Sequence, residues 1–181
     1  MTSNIFPARR GVVIGAGPAG LMAAEMMAAA GLSVTVCDHK PSVARKLLMA
    51  GKSGLNITKA EERTKFLNAF TTAKGPLEPI LNSFDAPAVQ GWAEELGQNL
   101  FTGTTGRVFP TVMKASPLLR AWLARLSDEG VDLKTRWRWT GWDDGTPVFD
   151  TPDGMQHLPV DVTVLAMGGA SWSRLGATGA W

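Results

Sequence analysis

The hexapeptide Gly15-Ala16-Gly17-Pro18-Ala19-Gly20 constrains the fold of this chain more than any other part of its sequence. It has the form G-x-G-x-x-G. A short apolar run at 11–14 precedes it, and a stretch rich in Ala, Met and Leu follows it as far as residue 30. The apolar run predicts a buried strand and the later stretch predicts a helix, so the glycines are expected to form the turn between them.

A second strand is predicted at 33–38, where β-branched residues recur, and Asp38 ends it. An acid about 20 residues beyond the glycine turn is typical of a dinucleotide-binding βαβ unit. Gly15 permits the tight turn, Gly17 lets the backbone approach a pyrophosphate, and Gly20 lets the helix lie close to the strands. The helix N-terminus favours phosphate oxygens, and Asp38 can accept hydrogen bonds from ribose hydroxyls. These residues predict a site for an ADP moiety, which FAD and NAD share.

The region 41–130 is predicted to be a loop and helical insertion. Its first part, to residue 57, has the composition of a loop. Thr58 and Glu61 have the spacing of a capping box, and Asp85 is a favourable N-cap. Helices are therefore predicted at 58–69, 86–96 and 116–129.

Short strand-like pieces separated by Asp-Gly turns follow the insertion. They predict a small antiparallel β-meander at 137–158. The apolar run at 160–167 predicts a further central strand. Together with the βαβ start, these elements predict an α/β fold with a Rossmann-like parallel sheet.

Composition restricts the class of protein. The content of 45% hydrophobic and 19% charged residues is typical of a globular chain. The net charge is +2 and Lys and Arg are scattered without a run, so neither nucleic acid nor a membrane is expected as a partner. Glu25 interrupts the apolar stretch 11–31, which favours a buried strand and helix over a membrane span. A single cysteine, Cys37, allows no internal disulfide and is typical of the reducing cytoplasm.

Three later segments, together with the glycine turn, resemble the signatures of one known family. They are Arg45-Lys46-Leu47-Leu48-Met49-Ala50-Gly51-Lys52-Ser53-Gly54-Leu55-Asn56-Ile57-Thr58, then Gly106-Arg107-Val108-Phe109-Pro110, and finally Leu165-Ala166-Met167-Gly168-Gly169-Ala170-Ser171-Trp172 with Leu175-Gly176-Ala177-Thr178-Gly179. In this order they are similar to motifs of a bacterial FAD-dependent flavoprotein family, which includes enzymes like aminoacetone oxidase and bile-acid 3-dehydro-Δ4,6-reductase. The resemblance extends over the whole chain.

The resemblance implies an FAD-dependent oxidoreductase. Its flavin would exchange a hydride with a small organic substrate or take one from NAD(P)H. Members of this family continue through a substrate-covering domain and return to the sheet with a glycine-rich strand. We therefore expect this sequence to be the truncated N-terminal portion of such an enzyme, inactive by itself. The commoner version of the first segment has a glycine triplet followed by Arg and Cys, where this chain has Gly51-Lys52-Ser53-Gly54-Leu55. This difference indicates a distinct subfamily, so no substrate is carried over.

The candidate cofactor-binding residues come from all of these segments. They are Gly15, Gly17, Pro18, Ala19, Gly20, Asp38, His39, Arg45, Lys46, Gly51, Lys52, Asn56, Arg107, Ala166, Gly168 and Gly169. The basic residues of 45–56 can approach a diphosphate, although a solvated basic loop would have the same composition. Arg107 can contact a flavin or an anionic substrate group, or be an ordinary surface residue. The pair at 168–169 follows a predicted central strand, where ligands of open α/β sheets gather.

No side chain can be named as a catalytic acid or base. His39 and His157 are isolated histidines that indicate neither a metal site nor a catalytic triad. The chain has no C-x-x-C motif, which excludes a thiol-disulfide reductase. Two other functions are compatible with the residues: an NAD-binding dehydrogenase domain, for which the first 38 residues suffice, and a non-catalytic dinucleotide-binding module or fragment.

Overall fold

The structure is a computed structural model that describes residues 8–175 and residue 179. The chain forms two compact units, the first from Met1–Leu47 and Leu123–Trp181 and the second from Leu48–Trp122. The strands are β1 (Arg10–Ile14), β2 (Ser33–Asp38), β3 (Thr58–Lys59), β4 (Leu100–Thr102), β5 (Arg107–Pro110), β6 (Asp132–Thr135), β7 (Arg138–Asp143), β8 (Thr146–Thr151), β9 (Gly154–His157) and β10 (Val162–Leu165). The helices are α1 (Pro18–Ala29), α2 (Arg45–Ala50), α3 (Arg63–Asn68), α4 (Lys74–Ser83), α5 (Ala86–Glu95) and α6 (Ala115–Asp128).

Four strands of the first unit form a parallel sheet in the order β10-β1-β2-β6. Val12 and Val13 of the central strand β1 are fully buried. Helix α1 follows β1 directly after the glycine turn, and its Leu21 and Ala24 are also fully buried. A parallel strand covered on both faces needs a continuous apolar sequence, which explains why residues 11–14 predicted it. The predicted βαβ unit and Rossmann-like α/β fold are confirmed.

The strands β7, β8 and β9 form the antiparallel β-meander of the predicted fold. Phe149 of β8 is fully buried and packs in one apolar cluster with Ile14 and Cys37. Trp137 and Trp139 pack against the same cluster. Since Ile14 and Cys37 lie at the carboxyl ends of β1 and β2, the meander packs beside the edge where the glycine turn begins.

A buried ion pair joins α1 to the last part of α6. The Arg125 guanidinium donates from Nη1 to Oε1 of Glu25 at 2.9 Å. Glu25 is only 6% exposed, so the charge that interrupts the apolar sequence of this region is held inside the first unit. None of the helices that the structure describes is both long and apolar enough to cross a membrane.

The second unit contains α3, α4, α5 and an antiparallel sheet in the order β3-β5-β4. The Asp85 carboxylate caps α5 by accepting from the backbone N–H of Ala88 at 3.0 Å, as predicted. Helix α4 was not predicted, because Gly75, Pro76 and Pro79 all lower helix propensity.

The predicted helix at 58–69 is wrong over its first five residues. Thr58 and Lys59 form β3 and pair with Val108 and Arg107 of β5. Helix α3 begins only at Arg63, and its cap is the Glu62 carboxylate, which accepts from two backbone N–H groups at 2.8 and 3.1 Å. These hydrogen bonds lower the pKa of Glu62. Pairing with a distant strand therefore outweighs the local capping-box pattern.

The stretch 41–57 was predicted to be a loop, but Arg45–Ala50 form the short helix α2. Ala44 precedes it with a φ of 51°, and its N–H donates to the carbonyl oxygen of Ala16 at 2.8 Å. This bond to the glycine turn places the start of α2 in the first unit. It joins residues 28 positions apart, which explains why the composition of 41–57 alone did not indicate a helix.

Candidate functional site

A cavity of about 870 Å³ opens in the first unit at the carboxyl ends of β1 and β2. This is the edge of an open α/β sheet at which ligands bind, and the volume lies in the range of sites for organic ligands. Five segments of the chain line the cavity. Three of them line it without a gap: 14–19, 37–40 and 137–141. The other two contribute Ser42, Ala44, Arg45 and Lys46, and Ala166, Met167, Gly168, Ser173 and Leu175.

The glycine turn has the backbone geometry that the motif requires. Gly15 has a φ of +107°, and a Cβ there would lie 2.5 Å from the carbonyl oxygen of Ala166. A Cβ at Gly20 would overlap the carbonyl oxygen of Gly15. A Cβ at Gly17, in contrast, would meet no protein atom within 4 Å. Gly15 and Gly20 are therefore required by the fold, whereas Gly17 leaves open space in front of the turn.

Gly17 is also the N-cap of α1, a helix of 12 residues. It has no side chain to bond the first N–H groups, and Pro18 occupies the first helical position. Gly17, Pro18 and Ala19 line the cavity, so the partial positive charge of the helix end lies at the cavity wall. This arrangement is suited to a phosphate or diphosphate.

Asp38 lies beside the turn and binds it directly. Its Oδ2 accepts from the N–H of Ala16 at 2.8 Å, and its Oδ1 accepts from the N–H of Lys40 at 2.8 Å. The side chain is 15% exposed. A carboxylate has about four lone-pair positions, so two remain for hydroxyl donors such as those of a ribose.

Basic side chains outnumber acidic ones in the described lining. Lys40, Arg45, Lys46 and Arg138 contribute four cations, and Asp38 is the single carboxylate among the lining residues. The Lys46 ammonium lies 3.3 Å from Oγ of Ser171. Burial lowers the pKa of His39, with Asp38 acting in the opposite direction, so the imidazole is neutral at pH 7. The cavity therefore favours an anionic ligand.

The structure brings ten of the candidate residues together in this lining. They are Gly15, Gly17, Pro18, Ala19, Asp38, His39, Arg45, Lys46, Ala166 and Gly168. Gly20 packs against the backbone of Gly15, and Gly169 follows Gly168 in the chain; neither of the two lines the cavity. That the candidate residues contact a ligand stays a prediction.

Four candidates, Gly51, Lys52, Asn56 and Arg107, belong to the second unit. There, a Cβ at Gly51 would lie 2.5 Å from Cβ of Ala115, and Arg107 lies in β5 opposite Lys59. The part of the last motif at Gly176-Ala177-Thr178 lies outside the described residues.

Sequence reasoning missed the wall formed by residues 137–141. This segment reaches the cavity because the N–H of Trp137 donates to the carbonyl oxygen of Asp38 at 2.9 Å. The contact joins residues about 100 positions apart, so no local pattern indicated it. The density of Trp in this short segment was the one available signal. Cys37 also lines the cavity, but burial raises the pKa of its thiol to about 12, which keeps it protonated and unreactive.

The cavity fits the ADP part of a dinucleotide. Gly17 and the start of α1 can hold the diphosphate, since nothing occupies the position of a Cβ there. Asp38 can accept from the ribose, and the lining cations match the ligand's charge.

Comparison with known proteins agrees with this geometry. The family model described as HI0933-like protein Rossmann domain matches residues 9–181. A ribosomal RNA dihydrouridine synthase of Haemophilus influenzae (strain ATCC 51907 / DSM 11121 / KW20 / Rd) is 46% identical over 50 residues, which are 28% of this chain and 12% of that protein.

Two solved structures share the fold at low identity. A flavocytochrome c3 fumarate reductase in an open conformation has a TM-score of 0.67 and 22% identity, covering 90% of this chain and 34% of its own. A 3-ketosteroid-Δ4-(5α)-dehydrogenase from Rhodococcus jostii RHA1 has a TM-score of 0.61 and 15% identity. The match covers 92% of this chain and 47% of that protein. The chain thus spans less than half the length of each of these proteins.

The family match confirms the Rossmann domain that the sequence motifs predicted, and the two solved structures share its fold. The family match covers the glycine turn, Asp38 and every other segment that lines the cavity. The chain belongs to the HI0933-like protein Rossmann domain family.

Proposed function

We propose that this chain is the FAD-binding part of an oxidoreductase whose flavin exchanges a hydride with a small organic substrate. The observation that carries the proposal is the open space at Gly17, the N-cap of α1, in a cavity that Asp38 also lines. In a family of Rossmann domains, that space is suited to the diphosphate and ribose of FAD. The bound isoalloxazine would supply the redox chemistry.

The residues of the cavity bind and orient the cofactor. The N–H groups at the start of α1 donate to the diphosphate, and Asp38 accepts from the ribose. Arg45 and Lys46 lie on the lining and offset the charge of the two phosphates. Neutral His39 adds a hydrogen-bonding group near Asp38, with Nδ1 3.7 Å from Oδ1. No group in the described lining is assigned a proton-transfer role.

The absorption spectrum of the purified full-length protein, followed under anaerobic addition of NADH or NADPH, tests this proposal. We expect a flavin spectrum in about one-to-one ratio with protein and bleaching by one of the two nicotinamides, which we propose as electron donor. A colourless protein that fails to take up added FAD would contradict the proposal. A yellow protein that neither nicotinamide bleaches would contradict only the choice of donor.

A second candidate is the flavin-dependent reduction of a base in ribosomal RNA. It is favoured by the relative named as a ribosomal RNA dihydrouridine synthase. The net charge of +2 without a basic run favours the first candidate, for which no nucleic acid partner is needed. Dihydrouridine content of ribosomal RNA from cells with and without the gene distinguishes them: an unchanged content excludes the second candidate.

We also propose that the protein acts in the cytoplasm without a membrane partner. Its single cysteine is buried and protonated, so no disulfide of its own would need an oxidising compartment. Fractionation of cells that express the tagged protein is the test, and recovery in the membrane or secreted fraction would contradict it.

A further inference from the structure

The indole Nε1 of Trp139 is buried without a hydrogen-bond partner among the residues that the structure describes. Unpaired buried donors are costly, so natural proteins keep few of them, and each calls for a physical reason. Trp139 also lines the cavity, and its ring packs edge-on against Trp142 at a centroid distance of 5.7 Å. The unpaired donor therefore belongs to a side chain of the candidate site.

The backbone of β7 is irregular at the same position. Its pairing with β8 shifts register between Trp139 and Gly141, and Gly141 has a φ of +136°. The Thr140 hydroxyl, at the centre of this β-bulge, donates to the carbonyl oxygen of Val148 at 3.1 Å. Bulges are common beside binding sites because they change the direction of a side chain relative to a regular strand. Here the bulge begins directly after Trp139, a residue of the cavity lining.

The location of this wall indicates which part of a ligand it meets. The N–H of Trp137 donates to the carbonyl oxygen of Asp38 at 2.9 Å, and that of Arg136 to Lys40 at 3.2 Å. The wall is therefore joined to the end of β2, where Asp38 would accept from the ribose. The group attached to that ribose is the adenine base, which is planar and carries ring nitrogens that accept hydrogen bonds.

We propose that Trp139 recognises the adenine of the bound dinucleotide. Its indole ring contacts the face or edge of the base, and its Nε1–H turns from the unpaired position to donate to a ring nitrogen. The proposal rests on the proposed function, because it needs an ADP moiety in the cavity. It assigns a specificity-determining role to a residue outside the glycine motif.

The test uses ADP as the probe, so that flavin absorbance does not interfere, with protein freed of flavin. In a ¹⁵N–¹H correlation spectrum, the indole resonance of Trp139 is identified by its loss in Trp139→Phe. We expect its proton to move downfield at saturating ADP, because the N–H then acquires an acceptor. In equilibrium dialysis, Trp139→Leu should bind ADP about 5- to 150-fold more weakly, the range for removing one base-stacking aromatic. Trp139→Phe should lose less of its affinity for ADP, since it retains an aromatic ring.

Trp92→Phe is the matched control, because it changes a tryptophan of the second unit that lies outside the lining. It should retain the affinity of the wild type. An unmoved Trp139 resonance at saturating ADP, or full affinity in Trp139→Leu, would overturn the inference while leaving ADP binding intact. Failure of the wild type to bind ADP would overturn the proposed function and the inference with it. The resonance is read on wild-type protein, so the test holds even if Trp139→Leu does not fold.

Discussion

At the scale of single residues, Asp38 has two tasks in the first unit. It holds the glycine turn to the end of β2 through the N–H groups of Ala16 and Lys40, and it keeps lone pairs for a ribose. Its position at a strand end and its distance from the glycines were visible in the sequence. Its hold on the turn was not, because that depends on where the folded backbone places Ala16.

We expect Asp38→Ala to weaken ADP binding by about 1–3 kcal/mol, the range for leaving polar partners unmatched at a partly buried site. The loss combines the missing ribose acceptor with a less restrained turn. Titration of flavin-free protein with ADP measures it. Asp132→Ala, which removes an exposed acid from β6 of the same sheet, is the control and should retain affinity. Equal affinities in Asp38→Ala and wild type would show that Asp38 is only a strand-end charge.

Cys37 predicts a pH dependence of stability. The thiol pKa is raised in the folded protein from 9.0 to about 12, chiefly by burial, with a smaller effect of Asp132. Between those values the unfolded chain ionises and the folded one does not, so the free energy of unfolding falls as pH rises above about 9. Each pH unit in that window costs about 1.4 kcal/mol.

Urea unfolding of wild type and Cys37→Ala at pH 7.5 and pH 10 isolates this effect of Cys37. The wild type should lose about 1.4 kcal/mol more than the variant between the two pH values. The stability that the variant loses through poorer packing is the same at both pH values, so it cancels when the two pH-dependent losses are compared. Parallel losses in the two proteins would mean that the thiol ionises normally in the folded state.

At the scale of elements, the sequence patterns predicted those helices and strands whose formation depends on nearby residues. Each end of the two strands and the helix in the βαβ unit was predicted to within one residue, because the strand patterns and the glycine turn agree with each other. The start of the 58–69 region was wrong because Thr58 and Lys59 pair with a strand about 50 residues away. The cavity wall at 137–141 was missed for the same reason, since long-range pairing leaves no periodic signal in one sequence.

The ion pair between α1 and α6 gives a prediction at this scale. Arg125→Met should lower the free energy of unfolding by about 3 kcal/mol, because it takes the 2.9 Å guanidinium contact away from the buried Glu25 carboxylate. The double variant Glu25→Leu/Arg125→Met should recover most of that loss, since it buries no charge. Denaturant unfolding measures both. A double variant as unstable as the single one would show that lost packing, not the buried charge, causes the loss.

At the scale of the whole molecule, the two units were not apparent in the composition, which shows neither a linker nor a change in charge between them. The parallel sheet of the first unit was apparent in the sequence, because β1 and β10 are apolar runs and β2 is rich in β-branched residues. The candidate residues divide between the units in the same way. Ten of them, from the glycine turn, the end of β2, the start of α2 and the residues after β10, share one cavity. Gly20 and Gly169 lie in the first unit outside the lining, and four others lie in the second unit.

The binding of FAD to full-length wild-type and Gly17→Val protein, both freed of flavin, tests the central claim most directly. A valine at this position meets no protein atom within 4 Å of its Cβ, so the variant should keep the melting temperature of the wild type. Its branched side chain would fill the space assigned to the diphosphate, and flavin binding should be lost. Gly91→Val, at another glycine with open space but in the second unit, should bind FAD normally. A folded Gly17→Val protein that binds one equivalent of FAD as tightly as the wild type would contradict the account.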